Sequence, residues 1–179
     1  GAVPATLTET GAPTLDGIIS YQWQESPDGS SWANVASGGN AATYSPAALI
    51  ADTWYKRLVT STLGANTCTE ESNIIKITVN NFNPGTIGNA QTICENTAPG
   101  ALTSVTPTGD GTFSYKWLNS TDGTNFFQIG GAISETYSPG SLAADTWYQR
   151  VVTSTVNTTA CVDSTNIILI TVNNLDPGA

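Results

Sequence analysis

The chain repeats itself. Ile19-Ser-Tyr-Gln-Trp23 returns as Phe113-Ser-Tyr-Lys-Trp117, and Ser26-Pro-Asp-Gly29 as Ser120-Thr-Asp-Gly123. Thr43-Tyr-Ser-Pro46 returns as Thr136-Tyr-Ser-Pro139, and Ala51-Asp-Thr-Trp-Tyr-Lys-Arg57 as Ala144-Asp-Thr-Trp-Tyr-Gln-Arg150. Ser72-Asn-Ile-Ile75 then matches Thr165-Asn-Ile-Ile168. The offset is 93 residues at the Trp-Tyr pair and at Cys68/Cys161, and 94 at the first Trp. Order and spacing kept over so many landmarks mean that one structural unit is used twice, so any fold must be a fold of about 90 residues made in duplicate.

The frame of the duplication sets the expected boundaries. Asn81-Phe-Asn-Pro-Gly85 opens the second copy, and Asn174-Leu-Asp-Pro-Gly178 has the same form. The stretch Thr86 to Thr97 has no counterpart ahead of Val3. The expected organisation is a first repeat over 1–81 that lacks its opening strand, a second over 82–174, and residues 175–179 as the start of a further repeat or a tail. A parent chain continuing in both directions is the corresponding expectation.

Within each copy the pattern is that of strands. Ile19, Tyr21 and Trp23 alternate with Ser20, Gln22 and Gln24. This is the period-two pattern of a strand with one buried face. Phe113, Tyr115 and Trp117 repeat it. Asp28-Gly29 and Asp122-Gly123 mark tight turns, with Trp32–Val35 and Phe126–Ile129 as the returning strands. Trp54–Thr62 and Trp147–Val156 are β-branched and aromatic runs, and Ile74–Val79 and Ile167–Val172 close each copy. The predicted fold class is all-β: two tandem immunoglobulin-like β-sandwich domains joined by a short linker. The expected core comprises Tyr21, Trp23 and Tyr55 with Tyr115, Trp117 and Tyr148; whether Trp54 or Tyr55 points inward is open. Leu49/Asp52/Tyr55 and Leu142/Asp145/Tyr148 have the form of a corner at which a Tyr hydroxyl bonds back to the main chain.

Composition excludes several function classes. Net charge is −9 with five basic residues, which is unsuited to phosphate backbones or anionic membrane surfaces. No apolar run approaches the ~18 residues of a membrane span, so no membrane insertion is expected. There is no His, so the commonest general base and metal ligand is missing. A Ser nucleophile is left without its usual base. The expectation is a protein that is not an enzyme, with no cofactor, no metal and no nucleic-acid partner. The Asp-Gly turns and the Asn-rich junction at Asn80, Asn81, Asn83 and Asp176 suit turn geometry better than calcium, which demands six to eight oxygens. Arg57 and Arg150 fit either ligand anchors or strand-face groups paired with a carboxylate or stacked on an aromatic. Trp32, Trp54 and Trp147 are candidates for a platform that stacks on sugar rings, against the simpler reading that they pack.

The phrase Tyr-Gln-Trp-Gln-x-Ser-x-Asp-Gly, then Thr-Tyr-Ser-Pro, Thr-Trp-Tyr-x-Arg, Cys and Ser-Asn-Ile-Ile-x-Ile-Thr-Val resembles the tandem repeats of giant cell-surface proteins of Bacteroidota. These include gliding-motility adhesins and other cargo of the type IX secretion system. The resemblance covers almost the whole chain. It implies an extracellular, cell-surface Ig-like spacer or adhesin repeat whose partners are neighbouring repeats of the same chain, and it carries over no catalytic residue. Self-association by strand donation at the edge left open in the first copy, and binding of surface glycans through the Trp residues, are the further partners considered.

The three cysteines admit three arrangements. Cys68 and Cys161 are equivalent, and Cys94 lies in the opening stretch of the second copy. The simplest pairs Cys94 with Cys161 and leaves Cys68 unpaired, a bridge stabilising by ~4 kcal/mol in an oxidising compartment. The others are a Cys68–Cys94 staple between the copies and free thiols.

Overall fold

The computed structural model describes residues 3–11 and 16–174. The expected further repeat or tail at 175–179 lies outside them. The chain divides into two compact units, Gly1–Val79 and Asn80–Ala179. Both are all-β, with no helix among the described residues, and the chain as a whole has several sheets.

Unit 1 contains β1 (Ile18–Ser26), β2 (Ala33–Asn34), β3 (Thr53–Leu63), β4 (Asn66–Glu71) and β5 (Ile75–Ile77). Unit 2 contains β6 (Phe82–Asn83), β7 (Ile87–Gly88), β8 (Gln91–Cys94), β9 (Thr103–Ser104), β10 (Thr108–Gly109), β11 (Thr112–Ser120), β12 (Phe127–Gln128), β13 (Thr146–Val156) and β14 (Thr159–Asn173). The main sheet of unit 1 runs β2-β1-β3-β4, with β5 also paired to β3. That of unit 2 runs β12-β11-β13-β14-β8, and the pairs β7-β9 and β10-β6 form two small sheets.

The duplication reaches the level of register. Trp23 lies opposite Arg57 and Trp117 opposite Arg150. Thr53 lies opposite Ile77 and Thr146 opposite Ile170. Both units shift register at the arginine. The ladder slips between Gln149 and Val151, where the Thr165 hydroxyl instead accepts from Arg150 N at 3.1 Å. The Ser72 hydroxyl does the same for Arg57 N at 2.9 Å. The extra residue lies on the facing strand, at Thr165–Asn166 in unit 2, while Arg150 keeps its regular place opposite Trp117.

The cores lie between each main sheet and the loops and short strands that cover it. In unit 1, Leu7, Trp23, Val35 and Tyr55 are buried, with Tyr44, Leu49, Ile75 and Ile77 packed against them. In unit 2 the buried set is Ile87, Leu102, Trp117, Ala132, Tyr148, Ile168 and Ile170, joined by Ile93 and Tyr137. The indole N–H of Trp23 donates to Ala41 O, and that of Trp117 to Ser134 O, both at 3.0 Å. The polar edge of each buried ring is thereby satisfied.

The choice between Trp54 and Tyr55 left open above is answered here, and other expectations need correction. Tyr55 faces inward at 1% exposure, whereas Trp54 is half-buried. Tyr21 and Tyr115 are also half-buried, because alternation puts them one pleat from the core centre, against the arginines. At the corner no bond from the Tyr55 or Tyr148 hydroxyl forms among the described residues. Carboxylates close it instead, Asp52 Oδ1 accepting from Val79 N at 2.8 Å and Asp145 Oδ1 from Val172 N at 2.7 Å.

The disulfide is the largest correction: Cys68, Cys94 and Cys161 are all free thiols. Cys94 lies beside Asn173 at the far end of β14, while Cys161 lies opposite Ser154 near its start. Twelve positions of one strand separate them. At ~3.3 Å per residue this is tens of ångströms. A disulfide needs Cα atoms within ~7 Å.

Candidate functional site

The tryptophans singled out by sequence do not form a free stacking platform. Trp54 roofs the Asp28-Gly29 turn so closely that a Cβ on Gly29 would lie 3.2 Å from its Nε1. Lys76 Nζ sits 4.8 Å from the centre of the Trp54 ring and is paired with Asp52 at 2.7 Å. Trp147 covers Gly123 in the same way, at 3.2 Å. Lys56 Nζ stands 4.6 Å from the Trp32 ring while pairing with Glu71 at 2.7 Å. All three rings are half-buried, and none is stacked on another aromatic ring among the described residues.

The Asp-Gly turns are closed hydrogen-bond cages. Asp28 Oδ1 accepts from Ser30 N and Ser31 N at 2.7 Å and from the Ser26 hydroxyl at 2.9 Å. Asp122 repeats the arrangement with Thr124 N, Asn125 N and Ser120. These donors, led by Ser31 N for Asp28 and Asn125 N for Asp122, hold both carboxyls well below the usual carboxylate range. Each Oδ1 thus accepts three hydrogen bonds from its own turn. Among the described residues no group of three or more His, Cys, Asp or Glu side chains is placed to hold a metal, and no helix is long and apolar enough to cross a membrane.

The arginines mark a place where the two units differ. Arg150 is completely buried, with the Glu135 carboxylate close enough to act on it. Its Nη2 donates to Pro84 O at 2.8 Å and Val105 O at 3.1 Å, and its Nη1 to Glu135 O at 2.9 Å and to the Ser104 hydroxyl. The Tyr115 ring lies 5.3 Å away. Burial pulls the Arg150 pKa down from its ordinary value. Pro84 belongs to a leading segment that continues into β7, where Ile87 is buried and its main chain is held by Asn166. The segment then enters β8, which pairs parallel with the end of β14.

Unit 1 has no such segment among its described residues. Arg57 Nη2 pairs with Glu9 at 2.9 Å, Nη1 donates to Ala42 O, and the guanidinium stacks 4.8 Å from Tyr21. A cavity of about 240 Å³ opens beside it, lined by Glu9, Thr10, Trp23, Arg57, Asn73 and Ile75. The side chain of Asn73, the counterpart of Asn166, is exposed and makes no hydrogen bond among the described residues. Beyond the cavity, strand β5 ends at Ile77, whereas β14 continues past the equivalent Ile170 to Asn173, where β8 flanks it. Sequence reasoning noticed the absent opening strand, yet it placed neither Asn73 nor Glu9 in a site. The signal was Asn73 standing at the position of Asn166.

No curated protein matches the chain. One family pattern fits twice, over residues 1–81 and again over 83–174, each time covering one copy of the repeat. The chain therefore belongs to the family described as a domain of unknown function (DUF8696), of which it carries two tandem copies.

Proposed function

We propose that the chain is a non-catalytic pair of Ig-like repeats from a long extracellular surface protein of the adhesin type, acting as a semi-rigid, tension-resisting spacer between neighbouring repeats. The observation that carries this reading is the parallel pairing of β8 with β14, Ile170 to Asn173 against Gln91 to Cys94. These strands lead towards the opposite ends of unit 2. Tension applied there pulls two parallel strands past each other, so their inter-strand hydrogen bonds resist together rather than opening one at a time.

The junction supports the same reading. Val79, the last residue of unit 1, is held by Asp52 at 2.8 Å. Asn80, the first of unit 2, is held by Ser154, donating to its carbonyl and accepting from its hydroxyl, both at 2.9 Å. Each of these two residues is thus tied to its own unit.

Single-molecule pulling on a tandem polyprotein tests the proposal. The expected record shows two unfolding events per chain, with unit 2 the more resistant. Unit 2 yielding at forces no higher than unit 1 would remove the reading.

A further inference from the structure

In unit 2 the leading segment is in place, yet one strand edge stays open. β8 flanks β14 only from Ile170 to Asn173. Among the described residues no strand lies against Thr159–Ser164 on the side away from β13. The hairpin closes through the two-residue turn Asn157-Thr158, so Thr159, Cys161 and Asp163 exchange main-chain bonds with Val156, Ser154 and Val152. The N–H and C=O groups of Ala160, Val162 and Ser164 therefore face outward. Ser164 N is capped by the Asp163 carboxylate at 2.7 Å, which leaves Ala160 and Val162 as the open run. Ala160 is exposed, and Val162 is 62% exposed. An open apolar edge of this kind is a template for a further strand.

We infer that this edge pairs with the same edge of a second copy of the chain, antiparallel and centred on Cys161. In that register Ala160 of each copy lies opposite Val162 of the other. Each such pair exchanges both main-chain bonds and brings the two side chains into contact. Thr159 takes the place opposite Asp163, so the acids of a chain of net charge −9 do not face each other. A pairing centred one residue on, at Val162, would need the capped Ser164 N and would set Cys161 against Asp163. The equivalent edge of unit 1, β4, is exposed over all 6 residues. It carries Thr67 and Thr69 for Ala160 and Val162, and Glu70-Glu71 for Asp163-Ser164. Carboxylates of both copies crowded on one short ladder keep that edge single. The contact in unit 2 is small, so it is weak between two free chains and gains where many copies stand side by side. The inference concerns contact between chains and is independent of how one chain resists tension.

The test combines sedimentation velocity over rising concentration with cross-linking of two single-cysteine forms of the full chain. Association that grows with concentration is expected. It should be abolished by Val162→Lys and unchanged by Thr69→Lys, the matching position of unit 1. Both residues are exposed, so both variants keep the fold. A diazene oxidant, which takes up the two thiol hydrogens as the disulfide forms, reads the register. Pairing centred on Cys161 places the two Cα atoms about 4.5 Å apart, within disulfide reach. The paired edge raises the effective concentration of the thiols, so a chain keeping only Cys161 (Cys68→Ser, Cys94→Ser) is expected to cross-link about tenfold faster than one keeping only Cys68 (Cys94→Ser, Cys161→Ser). Exposure alone would favour Cys68. A sedimentation coefficient that does not rise with concentration, association that survives Val162→Lys, association lost in Thr69→Lys, or cross-linking no faster at Cys161 than at Cys68 would each overturn the inference.

Discussion

The Asn166 carboxamide holds Ile87 by both of its main-chain groups, accepting from Ile87 N and donating to Ile87 O, each at 2.9 Å. One side chain thus stands in for a neighbouring strand and locks the leading segment onto unit 2. Replacing it with Ala leaves two main-chain groups of a buried residue to find new partners. Asn166→Ala is expected to destabilise unit 2 by roughly 1–3 kcal/mol in chemical denaturation. Asn73→Ala in unit 1, where the equivalent amide makes no bond among the described residues, is expected to be nearly neutral.

Ile87 and Ile93 add to the core of unit 2, and unit 1 has no counterpart to either among its described residues. The smaller core predicts the lower stability. Unfolding monitored by tryptophan fluorescence is expected to be biphasic, with unit 1 melting first, so that no single two-state transition describes the chain. Ile87→Ala is expected to cost about 2–5 kcal/mol in the second transition and to leave the first in place.

Gly123 adopts φ +73° with the Trp147 ring 3.2 Å from where a Cβ would be. Gly123→Ala combines left-handed strain with a contact the ring must yield to. The expected loss is about 1–2 kcal/mol from the backbone alone. The loss measured for Gly123→Ala together with Trp147→Ala should fall short of the two single losses added.

Asp28 and Asp122 are held below the usual carboxylate range by main-chain and hydroxyl donors. Folding therefore favours their charged forms. The stability they contribute is complete above the unfolded-state pKa of about 3.9 and is lost as pH falls below it. At the other end, burial pushes the Tyr55 and Tyr148 hydroxyls up to about 12, helped by Glu25 for Tyr55 and Tyr137 for Tyr148. Folding favours the protonated form here, so that contribution is complete below the unfolded-state pKa of about 10 and disappears as pH rises towards 12. Thermal melts across pH should show a plateau between these limits. Asp28→Asn with Asp122→Asn should flatten the acid flank only.

The free thiols have a direct consequence. Cys68 and Cys94 are exposed. Both are expected to react with a thiol reagent in the native state, and the chain is expected to migrate identically on reducing and non-reducing gels. A native chain in which Cys94 and Cys161 resist the reagent until reductant is added would contradict the register of β8 on β14.

Much of this architecture was legible because duplication does the work of an alignment. The inward placement of Trp23 and Trp117 and the hairpins that carry them follow from two-residue alternation and the Asp-Gly turns, whereas alternation left the choice between Trp54 and Tyr55 open. The inward rotation of Arg57 and Arg150 was not legible. Alternation puts each on the face of a buried Tyr two residues before it, but hydrophobic periodicity gives no reason to bury a guanidinium there; the groups that satisfy it, such as Glu9 for Arg57 and Pro84 O for Arg150, are distant in sequence. The cysteine pairing failed for a related reason. Loop length says how much a bridge would stabilise, but only register says which residues are neighbours, and Cys94 runs parallel to the wrong end of β14. Asp52 and Asp145 took the corner role given to tyrosine because a carboxylate reaches a main-chain N–H there while the tyrosine is drawn into the core.

The spacer proposal stands or falls on whether Val79 and Asn80 join the units without a free hinge. Backbone ¹⁵N relaxation measured separately for the resonances of each unit tests this most directly. One shared rotational correlation time, appropriate to the whole chain, is the predicted result. Two shorter times, each that of a unit of about 90 residues tumbling by itself, would contradict it.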